Sequence, residues 1–241
     1  MAGHPVRRCL PAIAFLIAFA TVIQPAAGRE YVAPQQQVAV VLTNQTVRTG
    51  PNGTAVELLR AHRPITGEQT VLPVLAQHLS HSGHLWLRVR LPGRTFGEPR
   101  PPATAWIRAD KTLLRTTAWH LVVNIGARQL TVYKNGHPVR DFSAIVGKPS
   151  TPTPTGQYFV EEDVRLPSTE PGAPFALATS DRSRVLQEYD GGPGQIAIHG
   201  LENLGGQIGT AESHGCVRLT NQDITWLAAR AGPGTPVTIR L

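Results

Sequence analysis

Cysteine is scarce in this sequence, which holds only Cys9 and Cys216 among 241 residues. Two cysteines form at most one bridge, so a fold held together by a disulfide framework is excluded. Charged residues are also few, at 16% of the chain, whereas 41% hydrophobic residues are enough for a sizeable core. The net charge of +7 is not gathered into blocks of like charge, and no aromatic-rich basic groove accompanies it, so nucleic-acid binding is not indicated.

The N-terminal segment lacks an apolar run long enough to span a bilayer, which takes about 20 residues. Its apolar run, 10–23, has 14 residues, follows the basic pair Arg7 and Arg8, and precedes small residues that end at Gly28. This order is typical of a secretory signal peptide, so residues 1–28 are predicted to be cleaved and the protein to be exported to the cell wall or periplasm. The alternative is an uncleaved membrane anchor.

Without residues 1–28 the chain keeps 21 Lys and Arg against 16 Asp and Glu, and Cys216 becomes its single cysteine. An unpaired thiol in an exported protein is open to oxidation, so its presence indicates a function. The alternative is a buried and inert cysteine. The remaining positive charge favours carboxylate ligands or anionic surroundings.

Glycine and proline are abundant, with 23 and 21 residues, which favours a turn-dense β fold over a helical bundle. In 29–110 short apolar segments alternate with turn residues, as expected for a small barrel. The segment 105–108 (Ala-Trp-Ile-Arg) resembles the closing strand of bacterial SH3-like domains, so 29–110 is interpreted as an SH3-like β domain that acts as a spacer, with glycan binding as the alternative. A linker is predicted at 111–118. Strands are predicted at 38–42, 56–59, 71–75, 85–91 and 105–108.

The region 119–241 is predicted to be mostly β with one short C-terminal helix. A three-stranded antiparallel meander is expected at 119–146, because Asn135-Gly136 is a strong signal for a type I′ hairpin turn. The helix is predicted at 221–231, where Thr220 and Asp223 form a capping-box pattern. Further strands are predicted at 157–164, 175–178, 195–199 and 236–241.

Two short segments carry the residue types of a thiol active site. His199-Gly200 ends a predicted strand, and the second segment, 213–218, reads Ser-His-Gly-Cys-Val-Arg. A thiol becomes an effective nucleophile when a nearby imidazole accepts its proton and lowers its pKa. His199 and His214 are the candidate partners of Cys216. The N–H groups of Gly215 and Cys216 are candidate donors to an oxyanion.

A metal centre is the alternative for the same side chains, since His199, His214 and Cys216 supply three ligands of the kind that zinc accepts. A second histidine cluster, at positions 78, 81 and 84, lies in a segment broken by serine and glycine, which favours a solvated loop. A metal site is not favoured at either group of residues, and no cofactor is predicted.

The spacing of these residues resembles the signature of the L,D-transpeptidase catalytic domain (YkuD type), in which a histidine is followed after about 14 to 17 residues by Ser/Thr-His-Gly-Cys. Here 13 residues separate His199 from Ser213, and the Pro-Thr-Gly element at 154–156 is a further family feature. The resemblance implies a β-sandwich-like catalytic domain at 119–241 with Cys216 as nucleophile and His199 as base. It also implies supporting roles for Ser213, His214 and Gly215, and Arg218 and Gly200 are predicted to bind substrate.

The implied reaction is acyl transfer on peptidoglycan stem peptides, with release of D-Ala and formation of 3→3 cross-links. Carbapenem-type β-lactams are the implied covalent inhibitors, and a monomer is expected. Within the same chemistry, an L,D-carboxypeptidase or a protein-anchoring transpeptidase remains open. A non-catalytic wall-binding module is the alternative of another class.

Overall fold

Seven strands form the first of two large sheets, here named the N-terminal sheet. The computed structural model describes residues 31–95, 97, 100–188 and 191–241, so the predicted signal peptide lies outside the described residues. Neighbouring strands are antiparallel, in the order β3-β2-β6-β5-β4-β1-β7. The strands are β1 (Gln36–Val41), β2 (Gln45–Arg48), β3 (Ala55–Leu59), β4 (Val71–Leu79), β5 (Leu85–Arg90), β6 (Thr104–Arg108) and β7 (Thr112–Thr117).

Alternation of apolar and polar residues explains this sheet. In β5, Leu87 and Val89 are fully buried while Arg88 between them is exposed, as a period of two requires. The sequence analysis located five of the strands and missed β2, whose residues Gln-Thr-Val-Arg contain a single apolar side chain. The SH3-like barrel stays a prediction.

The predicted linker at 111–118 is corrected by β7. This strand pairs with β1 over six residues, from Gln36 opposite Thr117 to Val41 opposite Thr112. The segment carries a weak apolar signal, but three of its six residues are threonine, a β-branched residue that fits a half-exposed strand. By pairing along β1 it supplies hydrogen bonds that an open edge would lack.

Eight strands form the second sheet, here named the C-terminal sheet. The predicted meander at 119–146 is confirmed, and Asn135 and Gly136 both have the positive φ of a type I′ turn, at 51° and 77°. The order is β10-β9-β8-β17-β12-β13-β14-β16, and a separate parallel pair joins β11 to β15. The strands of this sheet and of the separate pair are, in chain order, β8 (Trp119–Asn124), β9 (Gln129–Lys134), β10 (His137–Ser143), β11 (Val146–Gly147), β12 (Gly156–Arg165), β13 (Phe175–Arg182), β14 (Gln195–His199), β15 (Ala211–Ser213), β16 (Val217–Arg218) and β17 (Pro236–Arg240).

The helix α1 (Asn221–Ala228) packs on this sheet. Thr220 caps it as predicted, because its hydroxyl accepts a hydrogen bond from Asp223 N–H at 3.1 Å. Leu227 is fully buried, as is Ile224 on the same face. The helix ends three residues before the predicted 231, since Leu227 O accepts from the N–H groups of both residues 230 and 231 and tightens the last turn.

The two sheets belong to one compact unit, Val32–Leu241. Phe159 lies on β12 of the C-terminal sheet, yet its side chain, 1% exposed, packs in the hydrophobic core of the N-terminal sheet. The described residues include no helix with the length and apolar character that a bilayer crossing requires.

Candidate functional site

Four of the predicted site residues meet at one cavity of about 130 Å³ beside β14 and β16. These strands are parallel, with His199 opposite Arg218 and Ile198 opposite Val217, so Cys216 lies directly before the paired residues. The cavity is lined by Cys216, His199, His214 and Arg218. Its other lining residues are Pro171, Ser183, Leu186, Gly194, Gln195, Ile196 and Leu204.

Cys216, the free cysteine of the described residues, has backbone groups on two sides of its sulfur. Ala197 N–H donates to Sγ at 3.5 Å, and the thiol donates to Gln195 O at 3.9 Å. Burial raises the pKa of the thiol, and the negative charge of Asp181 adds to that rise, whereas the Ala197 N–H and the Arg218 charge oppose it. The predicted lowering of the thiol pKa is therefore wrong for the resting protein.

His199 is held in one tautomer. Its Nδ1 lies 2.8 Å from Gly200 O, and because a carbonyl only accepts, Nδ1 carries the proton and Nε2 keeps its lone pair. Gly172 packs on the ring, since a Cβ at that position would lie 2.7 Å from Nδ1. Burial lowers the pKa of His199 to about 4, and the Arg218 charge contributes. At neutral pH the site thus contains a neutral thiol and a neutral imidazole.

The loop before Cys216 is closed by its own hydrogen bonds. Ser213 Oγ donates to Cys216 O at 2.6 Å and accepts from Gly215 N–H at 3.1 Å. The Gly215 N–H is thereby engaged within the loop, which contradicts its predicted role as a donor to an oxyanion and leaves the Cys216 N–H as the predicted donor. Gly215 has φ 123°, and a Cβ there would lie 2.9 Å from Ile196 Cδ1, so only glycine fits.

A second loop braces the first, and the sequence analysis missed its role. Thr153 Oγ1 donates to Gly215 O at 2.8 Å and accepts from Gly147 N–H at 2.8 Å. Thr151 Oγ1 donates to Ser213 O at 3.2 Å. The alternation of proline and threonine at 151–155 was the available signal, because buried hydroxyls in a stiff loop need backbone partners.

The remaining predicted residues differ in their placement. His214 is exposed, with Nε2 at 3.4 Å from Lys148 Nζ, and Arg218 donates from one terminal nitrogen to Gly205 O at 3.0 Å. Gly200 is absent from the residues lining the cavity; its N–H donates to Gly172 O, and its carbonyl accepts from His199. The prediction that Gly200 binds substrate is not supported by this placement, and its contacts orient His199.

Asp181 is a further residue that the sequence analysis did not identify. It is 1% exposed on β13, and burial raises its pKa to about 7, although hydrogen bonding and the charges of Arg182 and Arg184 oppose the rise. Its carboxylate influences the thiol of Cys216 through charge alone. Within the described part of the chain, no group of three or more His, Cys, Asp or Glu side chains is arranged to hold a metal ion.

A half-buried thiol, a neutral imidazole with a free Nε2 and an adjoining guanidinium define a cysteine-dependent acyl-transfer type of site. The comparisons agree with this class. The family model for the YkuD L,D-transpeptidase catalytic domain matches residues 118–239, which is half of the chain. The chain belongs to the L,D-transpeptidase catalytic-domain family, and its enzyme class is L,D-transpeptidase.

The chain is similar to proteins from Bacillus subtilis and Mycobacterium tuberculosis. A Bacillus subtilis protein named as the L,D-transpeptidase YkuD is 36% identical over 124 residues, which cover 52% of this chain and 67% of that protein. L,D-transpeptidase 1 of Mycobacterium tuberculosis is 28% identical over 132 residues, 49% of either chain. A solved structure of L,D-transpeptidase 3 of M. tuberculosis with a faropenem-derived adduct is 17% identical, with a TM-score of 0.40, covering 70% of this chain and 93% of that one.

Proposed function

We propose that this protein is an exported peptidoglycan L,D-transpeptidase that forms 3→3 cross-links in the cell wall. The observation that carries the proposal is that Cys216 and the Nδ1-protonated His199 line one cavity with Arg218. A nucleophile, a base with a free lone pair and a cation for a substrate carboxylate are the groups that acyl transfer between stem peptides needs.

The first half-reaction forms a thioester. Cys216 Sγ attacks the carbonyl carbon of the third, diamino-acid residue of a tetrapeptide stem, and His199 Nε2 takes the thiol proton. The C–N bond to D-Ala breaks, and His199 returns that proton to the departing amine. Because both groups are neutral at rest, proton transfer accompanies the attack on the carbonyl.

The second half-reaction transfers the acyl group. The side-chain amine of another stem attacks the thioester, a new amide forms, the C–S bond breaks and the amine proton passes through His199 to sulfur. Arg218 binds a substrate carboxylate in this scheme, through the guanidinium nitrogens that Gly205 O does not engage. If Arg218→Gln leaves the apparent affinity for stem peptides unchanged, that role is wrong.

Defined muropeptides with tetrapeptide stems test the reaction. The full chain is expected to convert them to dimers that have lost one D-Ala, as read by mass spectrometry with fragmentation of the cross-link, whereas Cys216→Ala is inactive. Tripeptide monomers and free D-Ala alone would identify an L,D-carboxypeptidase, and transfer only to a protein amine would identify an anchoring enzyme. Release of D-Ala by Cys216→Ala would refute the nucleophile.

Carbapenems and export are tested separately. A β-lactam carbonyl is an acylating agent, so imipenem is expected to add covalently to Cys216, visible in the intact mass and absent from Cys216→Ala. The mature protein recovered from an exporting host is expected to begin near residue 29. Recovery of the full-length chain in the membrane fraction would favour the uncleaved anchor.

A further inference from the structure

Glu161 on β12 is a buried carboxylate at the boundary between the two sheets. Its side chain is 0% exposed and accepts hydrogen bonds from Arg63 at 2.5 Å and from Gly93 N–H at 2.6 Å, both contributed by loops of the N-terminal sheet. Arg182 of β13 donates to it at 3.1 Å. A buried carboxylate is costly unless it is paired and hydrogen-bonded, so these partners specify the position of Glu161 closely.

Gln195 extends this cluster to the cavity. Its Nε2 donates to Glu161 at 3.2 Å and to Thr179 O at 3.0 Å, and the residue lines the cavity as the first position of β14. The backbone carbonyl oxygen of Gln195 accepts from Cys216 Sγ at 3.9 Å. A single residue therefore joins a carboxylate held by the N-terminal sheet to the thiol.

Arg182 adds a second connection to the same strand. It lies opposite Gln195 in the pairing of β13 with β14, and its Nε donates to Arg94 O at 3.0 Å. A Cβ at Gly93 would lie 2.6 Å from the guanidinium carbon of Arg182, so glycine is required for this approach. The backbone at 93–94 thus packs directly on the residue that flanks Gln195.

The neighbouring carboxylate, Glu162, shares Arg63 with Glu161, at 3.5 Å, but its hydrogen bonds come mainly from backbone groups of the same loop. It is 0% exposed and accepts from the N–H groups of Ile65 at 3.1 Å and Thr66 at 2.9 Å. Among the described residues it makes no hydrogen bond to Gln195. Both carboxylates are buried against loops of the N-terminal sheet, but of the two only Glu161 is hydrogen-bonded to a residue that lines the cavity.

We propose that Glu161 is a positioning residue for the thiol site and that the N-terminal sheet sets the geometry of Cys216 through Glu161 and Gln195. The N-terminal region then takes part in catalysis by orientation, beyond the role of a spacer. The effect of this positioning on catalysis rests on the proposed function, but its effect on the thiol is measurable without stem peptides.

Alkylation of Cys216 by iodoacetamide, followed by intact mass from pH 5 to 10, separates the two carboxylates. All variants of the full chain carry Cys9→Ser, so Cys216 is the single thiol. Glu161→Gln and Gln195→Met are each expected to change the alkylation rate at least about threefold and to displace its pH midpoint, because small displacements at a reacting atom have large rate effects. Glu162→Gln is expected to lower the melting temperature and leave the alkylation profile unchanged.

The double variant Glu161→Gln/Gln195→Met is expected to match the single variants, since both interrupt one pathway. Folded Glu161→Gln protein with the parent's alkylation profile would overturn the proposal, as would a profile shared with Glu162→Gln. If Glu161→Gln does not fold, Gln195→Met decides by the same criterion. If Glu161→Gln has an altered alkylation profile and the parent protein does not react with muropeptides, the positioning role is supported and the proposed function is refuted.

Discussion

At Cys216 and His199, burial moves two pKa values apart and leaves both groups neutral. The thiol pKa rises and the imidazole pKa falls to about 4, because an apolar environment disfavours whichever form is charged. The site therefore does not store a thiolate–imidazolium pair. It keeps the thiol in its less reactive form until a substrate carbonyl is in place, which also limits oxidation of the cysteine.

The pH dependence of acylation follows from this state. The rate of Cys216 acylation by imipenem is expected to rise as pH increases through about 4, where His199 loses its proton, and to stay level to neutral pH. Stopped-flow measurement of adduct formation checks this, with His199→Asn as the variant that lacks the acid limb. An acid limb near the ordinary histidine value of 6.5 would contradict the neutral pair.

Asp181 makes stability depend on pH with a predictable sign. Its pKa is raised to about 7 in the folded protein, so the folded state binds more protons than the unfolded state between the ordinary value of 3.8 and about 7, and stability falls as pH rises through this window. Asp181→Asn removes the ionisation, while its amide oxygen can still accept from Arg182 N–H. The variant is expected to be more stable than the parent above pH 7, by up to about 4 kcal/mol.

Urea unfolding of Asp181→Asn at pH 4 and pH 8 measures this difference. The advantage is expected to disappear at pH 4, where the native carboxyl is also neutral. Glu170→Gln, at an exposed position, serves as the matched control and is expected to show no such pH dependence. An equal effect of Asp181→Asn at both pH values would contradict the raised pKa.

At the scale of elements, the site depends on a loop that contributes no reacting atom. Thr153→Val keeps the shape of the side chain but leaves Gly147 N–H and Gly215 O without their buried partner. The expected loss of stability is about 2–4 kcal/mol, because each unsatisfied buried group costs about 1–3 kcal/mol. The exposed Thr155→Val is the control, and equal melting temperatures of the two variants would show that the brace is unimportant.

The sequence revealed those elements whose signals are local. The Asn135-Gly136 turn and the Thr220 cap need only neighbouring residues, and both appear as predicted. β15 and β16 were not predicted, because strands of three and two residues have too little periodicity to detect. β16 nevertheless pairs with β14 directly after Cys216.

The chemistry of the site was predictable in residue type and only partly in state. The spacing of His199 and Cys216 located both groups, but their pKa values follow from burial by strands distant in sequence. The bond from Gly215 N–H to Ser213 Oγ likewise depends on the folded loop. Long-range contacts of this kind leave no pattern in a single sequence.

At the scale of the whole molecule, the two sheets share side chains as well as a boundary. Phe159 projects from the C-terminal sheet into the core of the N-terminal sheet, and Glu161, two residues further along β12, is held by Arg63 from that side. A strand that contributes to both cores links their stabilities, since neither sheet can open without exposing it. The described chain is therefore expected to unfold as one cooperative unit.

Phe159→Ala tests that cooperativity. Removal of the buried ring is expected to cost about 3–5 kcal/mol and to lower the protection of both sheets by the same amount, because the change acts on a shared unit. Hydrogen exchange followed by mass spectrometry of peptides from β4–β5 and β8–β9 measures the two sheets separately. Leu79→Ala, at a position 67% exposed, is the control and is expected to stay within about 0.5 kcal/mol of the parent. Loss of protection confined to β4–β5, with β8–β9 unchanged, would show that the sheets unfold independently. The N-terminal sheet would then not fix the geometry of the thiol site.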